Sequence, residues 1–177
     1  MTRHYLTPSA LKSVHCCLVY GHLQCAVGAW WGSVPKTTLN HLNVLHNKLI
    51  RAMNFASYRS HVTPLYHQSN LLKINDIYHL EIAKMMHCLH NGKLPQTFDN
   101  YFFSVTSVHM HLNRKSTHGK YFLHSISHEH GKRSIKYHGP KIWDSFDNTF
   151  QRLCSIPFKK RYRAHLISQY AEEDTAF

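Results

Sequence analysis

The chain is poor in acid. Only 9 of its 177 residues are Asp or Glu, against 21 Lys and Arg, which leaves a formal net charge of +12. Two-metal phosphoryl transfer and glycoside hydrolysis both rest on paired carboxylates. The one close interior pair is Asp144 and Asp147, three residues apart, with no third acid near and with Lys141 and Arg152 at hand to neutralise them. They read as solvated helix-face charges. No Asp-Asp pair, no Gly-rich phosphate loop and no Gly-x-Ser-x-Gly elbow occurs, so the local signatures of P-loop enzymes and serine hydrolases are missing. With 7 Gly and 6 Pro the chain is neither collagen-like nor of low complexity. It also lacks a clean apolar run of bilayer length. Cys16 to Val34 comes nearest, but His22, Gln24 and interior glycines interrupt it, and a buried core helix is expected there. The N-terminus does not read as a signal peptide. The five cysteines form no Cys-x-x-Cys, and three lie in apolar helical surroundings; reduced, buried thiols in an intracellular protein are expected.

What is present is a core and a cationic surface. Apolar residues make up 43% of the chain and aromatics 12%, too rich a mixture for a disordered polymer. A single domain of this length buries about 70% of its unfolded surface. Residues 1–92 carry helical periodicity. Thr7-Pro8 is a cap followed by proline, ahead of Leu11, Val14, Leu18, His22 and Cys25. Thr37 or Thr38 is expected to cap a helix whose apolar stripe is Leu39, Leu42, Leu45, Leu49 and Met53 and whose wet side holds Asn40, Asn43, Asn47, Lys48 and Arg51. Thr63-Pro64 opens a short helix, and Asn75 caps a long one that Asn91-Gly92 ends. Beyond Lys93-Leu94-Pro95 the pattern weakens. Residues 104–132 show no sustained period; a short strand at Lys120–Ile126 with a partner at Ser134–Tyr137 is expected. Gly139-Pro140 opens a turn of helix, and a last helix covers about Pro157–Tyr170.

Histidine is abundant, at 18 residues. His87-x-x-His90 shares a helix face, and His109-x-His111 and His128-x-His130 have strand-like ligand spacing. Zinc wants four ligands of defined geometry; no Cys lies near these pairs and no His-Glu-x-x-His occurs, so no metal site is expected. His15-Cys16, being neighbours, diverge by about 100° on a helix, a poor arrangement for nucleophile and base. The basic residues carry more. Between Lys93 and Tyr170 there are 13 Lys and Arg against 4 acids. Such an excess suits sequence-neutral contact with phosphates, driven by counterion release.

Several stretches then form an ordered series. They are Leu11-Lys12-Ser13-Val14 through Tyr20 to Trp31-Gly32; Thr37-Thr38-Leu39-Asn40 with Leu42, Leu45, Asn47, Lys48 and Arg51; His61-Val62-Thr63-Pro64-Leu65-Tyr66; Leu71-Leu72-Lys73-Ile74-Asn75-Asp76-Ile77; Leu94-Pro95 and Phe98; Lys132–Ser134; Gly139-Pro140-Lys141-Ile142-Trp143; and Phe158-Lys159-Lys160. In order and spacing the series resembles the C-terminal part of reverse transcriptases of jockey-like non-LTR retrotransposons, over nearly the whole chain. There are departures. Asp144 follows Trp143 where that family usually has Asn, Phe146-Asp147 stands in place of Leu-Pro, His46 stands where Gln is common, and His15 where an aromatic is common. They look like drift in a decaying copy.

The resemblance implies a mainly α fold: a helical, thumb-like bundle over 1–92, then a smaller, irregular α+β extension over 93–177 that is basic and ends in a helix. It implies a fragment of an RNA-directed DNA polymerase whose fingers, palm and aromatic-Ala-Asp-Asp motif are absent, so the isolated chain is expected to have no catalytic residues and no cofactor; Mg²⁺ would belong to the palm. The expected partners are the backbone of a duplex or RNA/DNA hybrid and the parent polymerase's palm and fingers, with no membrane, in an intracellular compartment. Lys48, Arg51, Arg114, Lys132, Arg133, Lys159, Lys160, Arg161 and Arg163 are the expected phosphate contacts. Two rival readings are an inert translated relic without a ligand and a His-rich metal-binding protein.

Overall fold

A computed structural model describes residues 5–25, 27–98, 100–108, 121–129 and 131–175. They are mainly helical. In chain order the elements are α1 (Pro8–Val14), a π-helical segment (His15–Tyr20), α2 (Gly21–Gln24), α3 (Val27–Ser33), α4 (Lys36–Met53), α5 (Thr63–Ser69), α6 (Ile74–His90), α7 (Val105–Val108), α8 (Ile135–Trp143), α9 (Asn148–Gln151) and α10 (Ser155–Thr175), with 3₁₀ turns at Gln96–Phe98 and Gly131–Arg133. The chain divides into two compact units. The first comprises the described residues up to Val27, Val34–Tyr78 and those from Arg161 on; the second comprises Gly28–Ser33 and His79–Lys160.

Local chemistry sets the helix ends. Thr7 Oγ1 accepts the Ala10 N–H at 3.3 Å, and Pro8 follows at the first helical position. At the end of α6, Gly92 takes φ 61°, a left-handed value that glycine adopts without strain. Its N–H and that of Lys93 close on Leu89 O and Cys88 O at 3.0 and 2.8 Å, satisfying orphan carbonyls. Asn70 ends α5 in the same way at φ 52°.

Within the first unit, α1 packs on α4 and α4 on α5. Its core holds Ile50, Tyr66, Leu72, Ile74, Ile77 and, from α10, Tyr162, Leu166 and Tyr170. The last three recur every four residues, one stripe of a helix. The second unit is built around Leu80, Ile82, Ala83 and Met86 of α6 with Phe102, Trp143 and Phe158, all buried. Trp143 and Phe158 stand 6.2 Å apart by ring centroids, and Phe146 lies within 5.9 Å of both.

Several expectations are corrected. The extension is helical where a strand pair was expected. Lys120 lies outside the described residues, and residues 122–127 form no regular element. Among the described residues the only strand-like pairing is one antiparallel bridge, Ser104 to Tyr121. Ser134 is extended and starts α8, so residues 135–137 are helical and Gly139-Pro140 sits inside that helix rather than opening it. Helix α4 begins at Lys36 behind Pro35, ahead of the threonines expected to cap it. Its buried residues are Leu39, His46, Ile50 and Met53, while Leu45 is 48% exposed; the stripe is turned by one position. The N-terminal stripe is displaced as well. Val14 and Leu18 are exposed whereas His15 and Leu23 are buried, because a π-helical stretch carries more residues per turn than the 3.6 on which the stripe was drawn. Helix α8 ends at Trp143, so Asp144 and Asp147 do not share a helix face. Cys16, Cys17, Cys25 and Cys154 are exposed and Cys88 is half-buried, so the cysteines are not core thiols.

Candidate nucleic-acid interface

Asn43, Asn47 and Arg51 are spaced by four along α4, which aligns them in one row on the helix surface. The loop after α4 folds back against that row, and the Arg51 Nε–H donates to Ser60 O at 2.9 Å. This brings Arg59 beside Arg51, while Lys73 and Asn75 come from the start of α6. Together these six residues, with Ser60–Thr63 and Tyr66, line a cleft of about 420 Å³ within the first unit. No carboxylate is among its described lining residues.

The cleft walls are held by hydrogen bonds. The Tyr170 hydroxyl accepts the backbone N–H of Lys73 at 3.0 Å and donates to the Asp76 carboxylate. The Lys73 ammonium stands 4.6 Å from the centroid of the Tyr170 ring. Burial, with the Asp76 charge second, pushes the Tyr170 phenol far above its ordinary range, so it stays a donor.

Behind α4 runs a second chain of bonds. The Tyr66 hydroxyl donates to Asn47 Oδ1 at 3.0 Å. Its only proton being used there, it accepts from His46 Nδ1 at 2.8 Å. His46 therefore carries its proton on Nδ1, and its bare Nε2 accepts from His15 Nε2 at 3.1 Å. The remaining nitrogen, His15 Nδ1, is buried and has no hydrogen-bond partner among the described residues. Both rings are buried. Burial, and secondarily the neighbouring His15, lowers the His46 imidazole to about 4; burial lowers His15 too. Tyr66 is raised mainly by burial, with Arg51 opposing and Asp76 adding.

The expected phosphate contacts fall in both units. In the first, Lys48 is exposed on α4, Arg51 lines the cleft, and Arg161 is exposed on α10. The Arg163 guanidinium donates to Asn70 O at 2.6 Å, covering the carbonyl end of α5. In the second, Lys159 and Lys160 are exposed and Arg133 is half-buried. Lys132 pairs with Glu129 at 2.7 Å, and that hydrogen bond raises its ammonium above the ordinary value. Arg114 lies outside the described residues. The structure thus brings Arg51 together with Arg59 and Lys73, two cations absent from that expected set. The every-fourth-residue row on α4 was the signal for one wall; nothing in sequence spacing announces the return of the 57–62 loop.

His87, half of the expected same-face pair, is a core residue. Its Nε2–H donates to Leu153 O at 2.7 Å and its ring stacks on Phe158 at 4.4 Å. Among the described residues no group of three or more His, Cys, Asp or Glu could hold a metal ion, and no helix is long and apolar enough to cross a membrane. His109, His111 and His130 lie outside the described residues. No protein-family model, no curated protein and no solved structure matches the chain.

Proposed function

We propose that the chain is the thumb-like region (1–92) and downstream extension (93–177) of a jockey-like non-LTR retrotransposon reverse transcriptase without its catalytic palm, and that its activity is sequence-neutral binding of the phosphate backbone of a duplex or RNA/DNA hybrid. The ordered motif series from Leu11 to Lys160 supports the family reading. One structural observation supports the binding: Arg51, Arg59 and Lys73 line a single cleft without a carboxylate among its described lining residues. Guanidinium and ammonium groups so grouped exchange condensed counterions for phosphates. The exposed Lys48, Lys159, Lys160 and Arg161 add cationic surface.

The test is a shift assay with a short DNA duplex and an RNA/DNA hybrid of the same sequence at two salt concentrations. Binding is expected at about 50 mM salt, equal for unrelated sequences, and lost at about 200 mM. No binding at the lower concentration overturns the proposal, as does a strong preference for one sequence.

A further inference from the structure

The cleft is more organised than a patch of surface charge. Asn47 accepts from Tyr66 through Oδ1, which leaves its Nδ2 group, a pair of donors, as the part of the amide not engaged in that bond. The direction is that of the Tyr66 O–H donating to Asn47 Oδ1. The groups behind it match that direction: with the Tyr66 proton spent on Asn47, His46 donates to Tyr66 and His15 to His46, one proton per group. The three side chains behind the amide are buried, so the rings and hydroxyl that back Asn47 are held in place by the packing around them. Arg51 is also held in place, by its Nε bond to Ser60 O. The cleft therefore presents an oriented amide donor beside two guanidinium groups and an ammonium. Such a donor set matches a tetrahedral oxyanion with several acceptor atoms and two negative charges.

We infer that this cleft is a discrete site for one phosphate group, with Asn47 as an oriented donor and Arg51, Arg59 and Lys73 as its counter-charges. The inference rests on the reading above that the cleft takes phosphate, and it adds that a single group is bound stoichiometrically. The group is either free phosphate or the terminal monoester of a nucleic acid. Both carry the same dianion. An internal phosphodiester carries one charge and has two oxygens tied up in ester bonds.

The experiment titrates the full chain with inorganic phosphate at constant ionic strength, balanced with chloride, and follows the amide and Asn side-chain signals by NMR. Saturable shifts confined to residues around Asn47, Ser60 and Lys73 are expected. Arg59→Gln, at an exposed residue, is expected to weaken binding about tenfold. Asn47→Ala is expected to weaken it about fivefold, with the dispersion of the rest of the spectrum showing that the fold is kept. Shifts that never saturate, or that chloride reproduces, overturn the inference, as does unchanged affinity in Arg59→Gln. Paired oligonucleotides with and without a 5′ phosphate separate the sources: a preference for the phosphorylated strand assigns the nucleic-acid terminus, and equal binding assigns free phosphate. Saturable phosphate binding without duplex binding would keep this site and overturn the backbone reading. Duplex binding without phosphate saturation would do the reverse.

Discussion

His15 and His46 meet nitrogen to nitrogen, Nε2 to Nε2, at 3.1 Å, with their rings stacked at 5.3 Å between centroids. One hydrogen lies between them. A proton added to His46 at Nε2 would set two N–H groups against each other, and burial opposes the charge in any case. The folded state therefore refuses protons that the unfolded chain takes up near pH 6.5.

From this follows a pH dependence of stability. Below about 6.5 the unfolded state binds more protons than the folded one, so stability falls as pH falls. It is full above 6.5 and is lost progressively down to about 4, where folded His46 also protonates. His46 alone contributes about 3 kcal/mol across that window, and His15 acts in the same direction. Urea unfolding at pH 7.5, 6.0 and 4.5 measures it. His46→Gln, which titrates nowhere in this range, is expected to flatten the profile even if it lowers stability at neutral pH. An equally steep profile in that variant would exclude His46 as the source.

The Tyr170 hydroxyl joins two polar groups, the Lys73 N–H and the Asp76 carboxylate. Tyr170→Phe leaves the ring, and its 4.6 Å approach to the Lys73 ammonium, but removes both bonds. Losing two such hydrogen bonds, one of them to a carboxylate, costs about 1–3 kcal/mol. Thermal unfolding at pH 7.5 is expected to show a loss in that range, well above the near-zero change of an exposed Tyr58→Phe control. Equal behaviour of the two variants would place the hydroxyl in water.

These relations show what the sequence could and could not convey. The row Asn43, Asn47, Arg51 follows from helical spacing alone and was legible. So were the Thr7 cap, the Asn91-Gly92 stop and the presence of the helices α6 and α10, because such signals depend on near neighbours, although α6 begins at Ile74, ahead of the Asn75 expected to cap it. His15 and His46 were not legible as partners. Imidazole is at home both inside and outside a protein, and a pair 31 positions apart leaves no local pattern. The π-helical turn at His15–Tyr20 hid them further by displacing the apolar stripe. The strand pair expected near Lys120–Ile126 and Ser134–Tyr137 failed for another reason. Short apolar runs fit either period, and an extended Ser134 was enough to start a helix there.

Gly139 lies inside α8, where alanine would ordinarily be the better helix former by about 1 kcal/mol. Here a Cβ would stand 2.8 Å from Met86 Sδ and 3.3 Å from Phe102 Cε1, both residues being buried. Overpacking of this kind costs about 1–3 kcal/mol, more than the propensity gain. Gly139→Ala is therefore expected to lower the urea midpoint with an unchanged slope. Gly21→Ala, in α2 with nothing within 4 Å of the added carbon, is expected to leave it unchanged or raise it. If Gly139→Ala were the more stable of the two, the close approach of α8 to Met86 would be refuted.

The cysteines supply the last prediction, and they invert what composition implied. Apolar neighbours in sequence made buried thiols the natural expectation, but in α1–α2 the π-helical stretch turns Cys16 and Cys17 outward together, and Cys25 and Cys154 fall at helix boundaries. A bulky disulfide reagent needs an exposed sulfur to react. In the folded protein under anaerobic conditions, four thiols are expected to react in a fast phase and the half-buried Cys88 of α6 in a slow one. Denaturant should merge the two phases into one. Mass mapping after the fast phase identifies the labelled positions. A fast phase of one thiol or none would return Cys16 and Cys17 to the interior and contradict the helical register described for His15–Tyr20. Because His15 is buried in that same register, the outcome also bears on the orientation of Asn47 at the far end of its hydrogen-bond chain.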